Sequence, residues 1–220
     1  MALLFPCNCK SLAISTNIQL VWSRNNEYYS DQWHGSWLLD GGVLSQQLIH
    51  HIDALRFLFG GVQKVYSINS RVINTLEAED SISCIMKYDK GFSGTVNGTT
   101  AFRPVDLEAS LTIIATNGYL KIGGIALNKI IKCNLDGKEI NNQIKLKNSE
   151  AVSTGYGKSH LFCLEHIFDN LKKQTFYSSK FLCPIDALDT LKIVSSLYRS
   201  YEDDMVIYIK KNKFSNKLGY

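Results

Sequence analysis

The stretch that decides the fold runs from Asp40 to Gly61 and reads DGGVLSQQLIHHIDALRFLFGG. Its apolar residues recur every three or four positions, and at 100° per residue five of them fall within roughly 80° of arc. These five are Leu44, Leu48, Ile52, Leu55 and Phe59. Asp40 is predicted to cap the amino end, and the pair Gly60-Gly61 is predicted to stop the helix. We therefore predict a helix from about Gly41 to Phe59 whose apolar face packs into a core.

The opposite face of this predicted helix is polar. Gln46, His50 and Asp53 fall within roughly 60° of one another on it. An amide or a carboxylate at this spacing can orient an imidazole, whose ordinary pKa lies near neutral, and a general base for a sugar hydroxyl needs such a pKa. A solvated helix face would show the same spacing, so both interpretations stay open. His51 lies close to the apolar arc and is predicted to pack.

A metal site is a third interpretation of the same histidines. Its possible ligands are His34, His50, His51 and Asp53. Adjacent histidines on a helix point about 100° apart, however, which disfavours a shared ion. The cysteines do not improve the case, because the close pair Cys7-x-Cys9 lacks the spacing of zinc sites. We therefore predict no metal.

The segments around the helix alternate between apolar and polar residues, which is the pattern of strands. The first precedes the helix and runs from Ile14 to Trp22. The others are Val65 to Ile73, Ser81 to Tyr88, Phe92 to Phe102, Glu108 to Ala115, Tyr119 to Ile122, Asn128 to Cys133 and Lys138 to Ile144. Glycine-containing turns separate several of them, at Asp89-Lys90-Gly91, Asn117-Gly118 and Asp136-Gly137. Such turns join antiparallel neighbours.

Two further helices and a short strand complete the predicted fold. The helices run from about Lys158 to Lys173 and from Pro184 to Ser200, and the strand from Met205 to Ile209. These elements predict the α+β class, with a large, mostly antiparallel open sheet that carries helices on one face. No linker-like tract divides the chain, so we predict one domain over residues 14–220 behind an atypical N-terminal segment, residues 1–13.

Composition limits the classes of partner. The 220 residues include 24 Lys and Arg against 20 Asp and Glu, a net charge of +4, and the positive charge forms no long run. We therefore expect no nucleic-acid partner. No apolar stretch approaches the ~18 residues of a membrane span, so we expect a soluble protein. The six cysteines are predicted to be reduced, buried thiols in a cytoplasm. They are Cys7, Cys9, Cys84, Cys133, Cys163 and Cys183.

The loop after the first strand concentrates aromatic side chains. Its sequence from Trp22 to Trp37 is WSRNNEYYSDQWHGSW, which contains all three tryptophans of the chain. Aromatic faces beside an arginine and amides bind sugar or nucleotide ligands by stacking and by contacts to carboxylate or phosphate. A rim that packs under a partner domain is the alternative. The candidate ligand-binding residues are Arg24, Tyr28, Tyr29, Trp33, His34 and Trp37.

The sequence contains no recognisable dinucleotide-binding motif. No G-x-G-x-x-G follows a predicted strand and opens a helix. The nearest string, Gly155 to His160, reads GYGKSH and has histidine where the third glycine belongs. We interpret it as the entry to the following helix, and we predict no cofactor-binding residues in this sequence.

The helix and loop residues resemble the C-terminal half of the glucose-fructose oxidoreductase, inositol dehydrogenase and rhizopine-catabolism (Gfo/Idh/MocA) family. Its helix reads approximately G-G-x-x-x-D-x-G-x-H-x-x-D, and this chain matches at Gly41-Gly42, His50 and Asp53 but departs at Gln46 and Leu48. Further matches are Glu79-Asp80 before a strand, Gly155 to His160 before a helix, and Leu197-Tyr198-Arg199-Ser200 in the last helix. The resemblance covers roughly Ile14 to Ile209.

Within the family, the chain is most similar to the UDP-N-acetyl-2-amino-2-deoxyglucuronate 3-dehydrogenases. The resemblance lies in the aromatic loop and in Asp106 to Asn128. Those enzymes tend to carry an amide at the position of Gln46 and usually an arginine at that of His34. The resemblance implies that His50 removes the proton of the sugar 3-hydroxyl, that Gln46 positions this hydroxyl, and that Asp53 assists substrate binding. It also implies NAD or NADP as cofactor and a homo-oligomer formed through the sheet face.

The family places a Rossmann domain and an E-K-P sequence before this half, and neither occurs here. We therefore expect a truncated protein that is the substrate-binding half of a sugar oxidoreductase for surface polysaccharide synthesis. It would be inactive alone and would need a partner chain with a Rossmann domain. Two alternatives stay open, namely a non-catalytic module for sugar-nucleotide binding or assembly, and the remnant of a disrupted gene.

Overall fold

The computed structural model describes residues 12–147, 149–152, 159–173 and 184–220. Nine strands form one sheet in the order β8-β7-β6-β5-β1-β4-β3-β2-β9. Every pair of neighbours is antiparallel except β1 and β4. The strands are β1 Ala13–Val21, β2 Val62–Ser70, β3 Ser81–Tyr88, β4 Ser93–Thr99, β5 Glu108–Ala115, β6 Gly118–Gly123, β7 Lys129–Leu135, β8 Lys138–Glu139 and β9 Ile207–Tyr208. The predicted class, a large and mostly antiparallel open sheet, is confirmed.

The first and the last of the long helices pack on one face of this sheet. A π-helical turn, Leu44–Leu48, leads into α1, Ile49–Phe59, and the other helices are α2 Asn142–Lys147, α3 Ser159–Lys173 and α4 Pro184–Asp203. A short 3₁₀ turn, Ile209–Lys211, follows β9. The first turn of the α1 segment lies directly on the sheet, because a Cβ atom added at Gly98 would meet Leu48 Cδ1 at 2.5 Å. Helix α4 packs on β2 and α1.

The strand alternation separates a buried face from an open one. On β1, Ile18 and Leu20 point toward the helices and are fully buried, while Asn17 and Gln19 on the other face are partly exposed. The open face also carries apolar side chains from three strands. These are Ile68, Ile85 and Ile114, with exposed fractions of 61%, 54% and 44%.

The apolar arc predicted for the helix is confirmed, but its predicted cap is wrong. Leu44, Leu48, Ile52 and Leu55 are buried to within 1%, and Phe59 packs against the same core. Asp40 does not cap the helix. Its carboxylate instead accepts a hydrogen bond from Gly35 N at 2.9 Å, since the chain turns back at this point before the helix begins.

The helix is capped instead by Glu79, which lies just before β3 and is distant in the sequence. Glu79 accepts hydrogen bonds from Leu44 N through its carboxylate and from Val43 N through its backbone carbonyl, each at 3.0 Å. Gly42 has no room for a side chain here, because its Cβ would lie 2.1 Å from the Glu79 carbonyl oxygen. At the other end, Gly60 stops α1 with a φ of 86°, as predicted.

One predicted strand is wrong over most of its length. The segment Lys138 to Ile144 is extended only as far as Glu139, and α2 begins at Asn142. The reason is a local cap, since the side chain of Asn141 accepts a hydrogen bond from Ile144 N at 2.9 Å. The predicted Asp136-Gly137 turn is confirmed, with positive φ at both residues.

The cysteine prediction is confirmed for two residues and wrong for a third. Cys84 and Cys133 are free and buried, and burial raises the pKa of the Cys84 thiol to about 12. Cys163 is also free but exposed, because it lies on α3, whose apolar side chains are largely uncovered. The other predicted buried thiols, Cys7, Cys9 and Cys183, lie outside the described residues, as do residues 1–11 and most of the GYGKSH string.

Within the described ranges, no helix combines the length and the apolar character that crossing a bilayer requires.

Candidate functional site

The polar face of α1 presents His50 away from the sheet. His50 is exposed, while Ile52 and Leu55 on the other side of the helix are buried. Within the described part of the chain, the imidazole of His50 makes no hydrogen bond or ion pair with another side chain. Both of its ring nitrogens are therefore open to a ligand, as a general base requires.

The neighbouring helix position connects this face to the aromatic loop. The Tyr28 phenol lies near the side chains of Gln46 and Arg24, and both of them act on its pKa. Burial raises the pKa of Tyr28, and these two contacts oppose that effect by lowering it. Because Gln46 precedes His50 by about one helical turn, Tyr28 and Arg24 lie beside the face that carries the imidazole.

Arg24 is held in place on several sides. Its Nη1 donates to Asp106 Oδ1 at 2.9 Å and to the Ser23 carbonyl at 2.7 Å. The guanidinium carbon lies 5.0 Å from the centre of the Trp22 ring and 5.5 Å from that of Tyr28. One end of the predicted anion-binding arginine is thus already paired with a carboxylate, and the two rings fix its orientation.

His34 forms the middle of an aromatic stack. The centre of its ring lies 3.6 Å from that of Trp33 and 4.2 Å from that of Tyr28. The Asp31 carboxylate lies 2.6 Å from His34 Nδ1. It also accepts hydrogen bonds from the backbone N–H groups of Trp33 and His34. Tyr28, Trp33 and His34 therefore form one preorganised surface, with Nε2 of His34 unbonded among the described residues.

Two other loop candidates are engaged in packing. Tyr29 is buried, and its hydroxyl lies 2.8 Å from Thr100 Oγ1, while burial raises its pKa to about 12. Trp37 packs edge-on against Tyr198 at 5.2 Å and lies beneath Lys217 at 5.3 Å. The structure shows packing contacts for both residues, toward the fold and the C-terminal segment, and their contact with a ligand stays a prediction.

Asp53 does not orient His50, contrary to the expectation from spacing. Its Oδ1 accepts hydrogen bonds from Thr190 Oγ1 at 2.5 Å and from Arg56 Nε at 3.3 Å. Thr190 belongs to α4, so the carboxylate joins the two helices. The physical reason is that Asp53 lies on the flank of α1 that meets α4, whereas His50 lies on the open side.

Two buried ionisable groups flank the site. His51 is 4% exposed, and burial lowers its pKa to about 4, which confirms the predicted packing role and keeps the ring neutral. Glu79 is fully buried, and burial raises its pKa to about 7. Residue patterns alone gave Glu79 no role. The signal that could have found it is its place in the Glu79-Asp80 match to the family.

The described residues do not form a dinucleotide cradle. Their sheet contains a single parallel pair, β1 and β4, and β1 is not followed by a glycine-rich turn that opens a helix against a parallel neighbour. In the same ranges, no three side chains of His, Cys, Asp or Glu come together as metal ligands. The described residues therefore offer no Rossmann-type site for NAD.

Comparison with known proteins supports the sequence resemblance. Residues 14–121 match the family model of the GFO/IDH/MocA C-terminal domain. No curated protein sequence matches the chain significantly.

Solved structures give a fuller match. The WlbA dehydrogenase of Bordetella pertussis, solved with NADH and UDP-GlcNAcA, is 25% identical with a TM-score of 0.73, over 89% of this chain and 54% of that one. The WlbA dehydrogenase of Chromobacterium violaceum, with the same ligands, is also 25% identical, with a TM-score of 0.74 and the same coverages. An oxidoreductase of Thermotoga maritima shares the fold at 18% identity and a TM-score of 0.68, over 91% and 55%.

The chain thus spans about half the length of these solved relatives. From the family match, we conclude that residues 14–121, which include the helix that carries His50, belong to the GFO/IDH/MocA family as a C-terminal domain of it.

Proposed function

We propose that this chain is the substrate-binding and proton-abstracting part of an NAD- or NADP-dependent oxidoreductase. Its substrate would be a UDP-N-acetylhexuronate, oxidised at the sugar 3-hydroxyl for surface polysaccharide synthesis. One observation carries the proposal, namely that Tyr28 lies near both Gln46 and Arg24, which sets the aromatic loop beside the helix face of His50. The two WlbA structures, which hold NADH and UDP-GlcNAcA, support the substrate class.

His50 supplies the base in this proposal. A neutral imidazole nitrogen accepts the proton of the sugar hydroxyl, and the exposure of the ring lets the proton pass on to water. Gln46 can donate its amide N–H to the same hydroxyl, which would hold the oxygen in line with His50. Such positioning supplies a large part of the rate in reactions between bound groups.

The aromatic surface would hold the sugar ring. Trp33 is 44% exposed and stacks on His34, so it offers an apolar face for the ring carbons. Nε2 of His34 can donate to a sugar carboxylate or hydroxyl when Nδ1 faces Asp31. Arg24, braced by Asp106, lies beside this surface and adds positive charge for an anionic substrate.

The hydride acceptor must be held by residues other than those described, because they offer it no site. We therefore expect these residues alone to show no turnover and to need a Rossmann domain, which is added in the assay as a partner. The test is NADH formation with UDP-N-acetylglucosaminuronate, with and without such a partner. His50→Ala should lower turnover by about 100-fold or more while sugar-nucleotide binding persists.

The matched control is Lys90→Ala in the exposed β3–β4 turn, which should leave turnover unchanged. Turnover that survives His50→Ala would overturn the role of the imidazole. Turnover by these residues without any partner would overturn the need for a Rossmann domain.

A non-catalytic assembly module is the second candidate. The observation that favours it is the open sheet face with Ile68, Ile85 and Ile114 exposed. We propose that this face joins copies of the chain into a homo-oligomer, which is compatible with either function. Sugar-nucleotide binding that survives His50→Ala, with no turnover under any condition, would favour the module over the enzyme.

A further inference from the structure

A short loop before β3 is bonded to the aromatic loop. It consists of residues 71–79, and we call it the supporting loop. Thr75 N donates a hydrogen bond to Asn26 Oδ1 at 2.9 Å. The backbone N–H groups of Glu77 and Ala78 donate to the Gly35 carbonyl at 3.1 and 3.0 Å. In the sequence, these two places flank the rings that stack on one another.

The contact at Gly35 is close. A Cβ atom added there would lie 2.6 Å from Leu76 Cβ, so the two loops leave no space between them at this point. A further bond runs in the other direction, from Trp37 N to Glu77 Oε2 at 2.9 Å. The aromatic loop is thus fixed at Asn26, before the stacked rings, and at Gly35, after them.

The supporting loop is in turn tied to one buried carboxylate. Asp80 is fully buried, and its side chain accepts hydrogen bonds from three successive backbone N–H groups. These donors are Val72, Ile73 and Asn74, at 2.8, 3.1 and 3.0 Å. Ser81 Oγ donates a further bond at 3.2 Å. Successive N–H groups that converge on one anion stabilise its charge, and the anion fixes the backbone that supplies them.

The first part of the supporting loop gains little from hydrophobic burial. Val72 and Ile73 are 60% and 52% exposed, so their side chains contribute little to holding this segment on the fold. Their backbone N–H groups, however, are both bonded to Asp80. The conformation of this part of the loop therefore depends on the carboxylate.

The backbone of Asp80 provides a second connection to the aromatic rings. Its carbonyl accepts a hydrogen bond from Thr100 N at 2.8 Å, and Thr100 Oγ1 lies 2.8 Å from the Tyr29 hydroxyl. The Tyr29 ring meets the Tyr28 ring edge-on at 5.0 Å. Only the route through the supporting loop uses the carboxylate, so a change of this side chain tests that route alone.

We infer that Asp80 is a positioning residue for the ligand-binding surface formed by Tyr28, Trp33 and His34. It acts through the supporting loop, and because it is fully buried it does not touch the ligand. The identity of that ligand, a sugar nucleotide, rests on the proposed function. A surface that is ordered before binding spares the complex the entropy of ordering it, so a defect in Asp80 should appear in affinity.

The first test uses the tryptophan fluorescence of the full chain, because all three tryptophans lie in the aromatic loop. Asp80→Asn places an amide NH₂ group against backbone N–H donors, so the supporting loop loses hydrogen bonds and the aromatic loop loosens. The constant for quenching by acrylamide should rise about twofold. Far-ultraviolet circular dichroism and the urea midpoint report whether the variant is folded. An unchanged quenching constant in the folded variant would overturn the inference.

Asn26→Ala provides a second variant at an exposed residue. It removes the acceptor of Thr75 N and should raise the quenching constant by a smaller factor. Asn141→Ala is the matched control, since exposed Asn141 also accepts a backbone N–H, from Ile144 at 2.9 Å, but lies outside both loops. It should leave the quenching unchanged. If Asp80→Asn does not fold, equal quenching in the two alanine variants would overturn the inference.

Steady-state kinetics distinguish positioning from a loss of folded protein. With UDP-N-acetylglucosaminuronate and a Rossmann partner, Asp80→Asn should raise KM about tenfold and leave kcat within about threefold. A merely structural defect would reduce the fraction of active protein, which lowers the apparent kcat and leaves KM as it is. A lower kcat with an unchanged KM would therefore contradict the role of Asp80.

The inference and the proposed function can fail separately in a calorimetric titration with UDP-N-acetylglucosaminuronate. If the unaltered protein binds none of it while Asp80→Asn raises the quenching constant, the proposed function is wrong and Asp80 still orders the aromatic surface. If the unaltered protein and Asp80→Asn bind it with equal affinity, the proposed ligand stands and the inference is wrong.

Discussion

The Glu79 carboxylate lies 3.0 Å from the phenol oxygen of Tyr198, although 119 positions separate the two residues in the chain. Together they hold the amino end of the helix that carries His50. Glu79 accepts from Leu44 N, and Tyr198 accepts from Gly42 N, each at 3.0 Å. A buried pair thus does what a short capping side chain does in most helices.

This pair should make stability depend on pH. Burial raises the pKa of Glu79 to about 7 from the 4.5 of an unfolded chain. Between these values the folded state binds more protons than the unfolded one, so stability is full below about pH 4.5 and falls as pH rises toward 7. Glu79→Gln should flatten this part of the profile, measured as the urea midpoint from pH 5 to pH 8.

The exposed Glu27 provides the control for that measurement. Glu27→Gln should leave the fall in stability as it is in the unaltered protein. A profile that falls equally in the Glu79→Gln protein would show that another group is responsible.

Tyr198→Phe should destabilise the fold through the same cap. The change leaves Gly42 N without its acceptor and removes one donor from Glu79, and all of these groups are buried. We expect a loss of about 1–3 kcal/mol in the free energy of unfolding. Tyr208→Phe, at a 43% exposed residue of β9, should cost much less. Equal urea midpoints for the two variants would contradict the cap.

Asp53→Asn tests whether Asp53 serves the fold or the imidazole. Its carboxylate is bonded to Thr190 and Arg56, and its side chain is half exposed. We expect a loss of about 1 kcal/mol in stability, measured by urea unfolding, and no shift in the pH profile of turnover. A shifted pH profile with unchanged stability would restore the orienting role of Asp53. Asp189→Asn, in an exposed ion pair with Lys192, is the control for lost charge.

Periodicity predicted the two faces of the helix because the relation between Leu48 and His50 is local, fixed by the rotation per residue. It also predicted the hairpins, since glycine at Gly137 accepts the positive φ of such a turn. Periodicity could not predict the cap at Glu79, because this residue lies just before β3, 35 positions after Leu44 in the chain. The same holds for Asp53, whose partner Thr190 comes from another helix.

In the aromatic loop too, the sequence indicated the residue types, and only the structure showed which residues they contact. Its composition indicated a binding surface, and the structure does bring Arg24, Tyr28 and Gln46 together. Composition could not separate Tyr29 from Tyr28, since only the tertiary contact with Thr100 buries one of the two adjacent rings. Which aromatic side chain faces a ligand is therefore decided by packing.

Tyr28→Phe tests the contact that carries the proposed function. The change removes the hydroxyl that lies near Gln46 and Arg24 but keeps the ring that stacks on His34. Without the hydroxyl, a polar group beside Gln46 and Arg24 is lost to the sugar nucleotide, so its KM should rise about tenfold, while the free energy of unfolding changes little because Tyr28 is only half-buried. Steady-state kinetics with a Rossmann partner and urea unfolding provide the two measurements. Tyr119→Phe, at a half-buried residue of β6, should alter neither. An unchanged KM together with a fall in stability would make Tyr28 a structural residue and remove the link between the loop and His50.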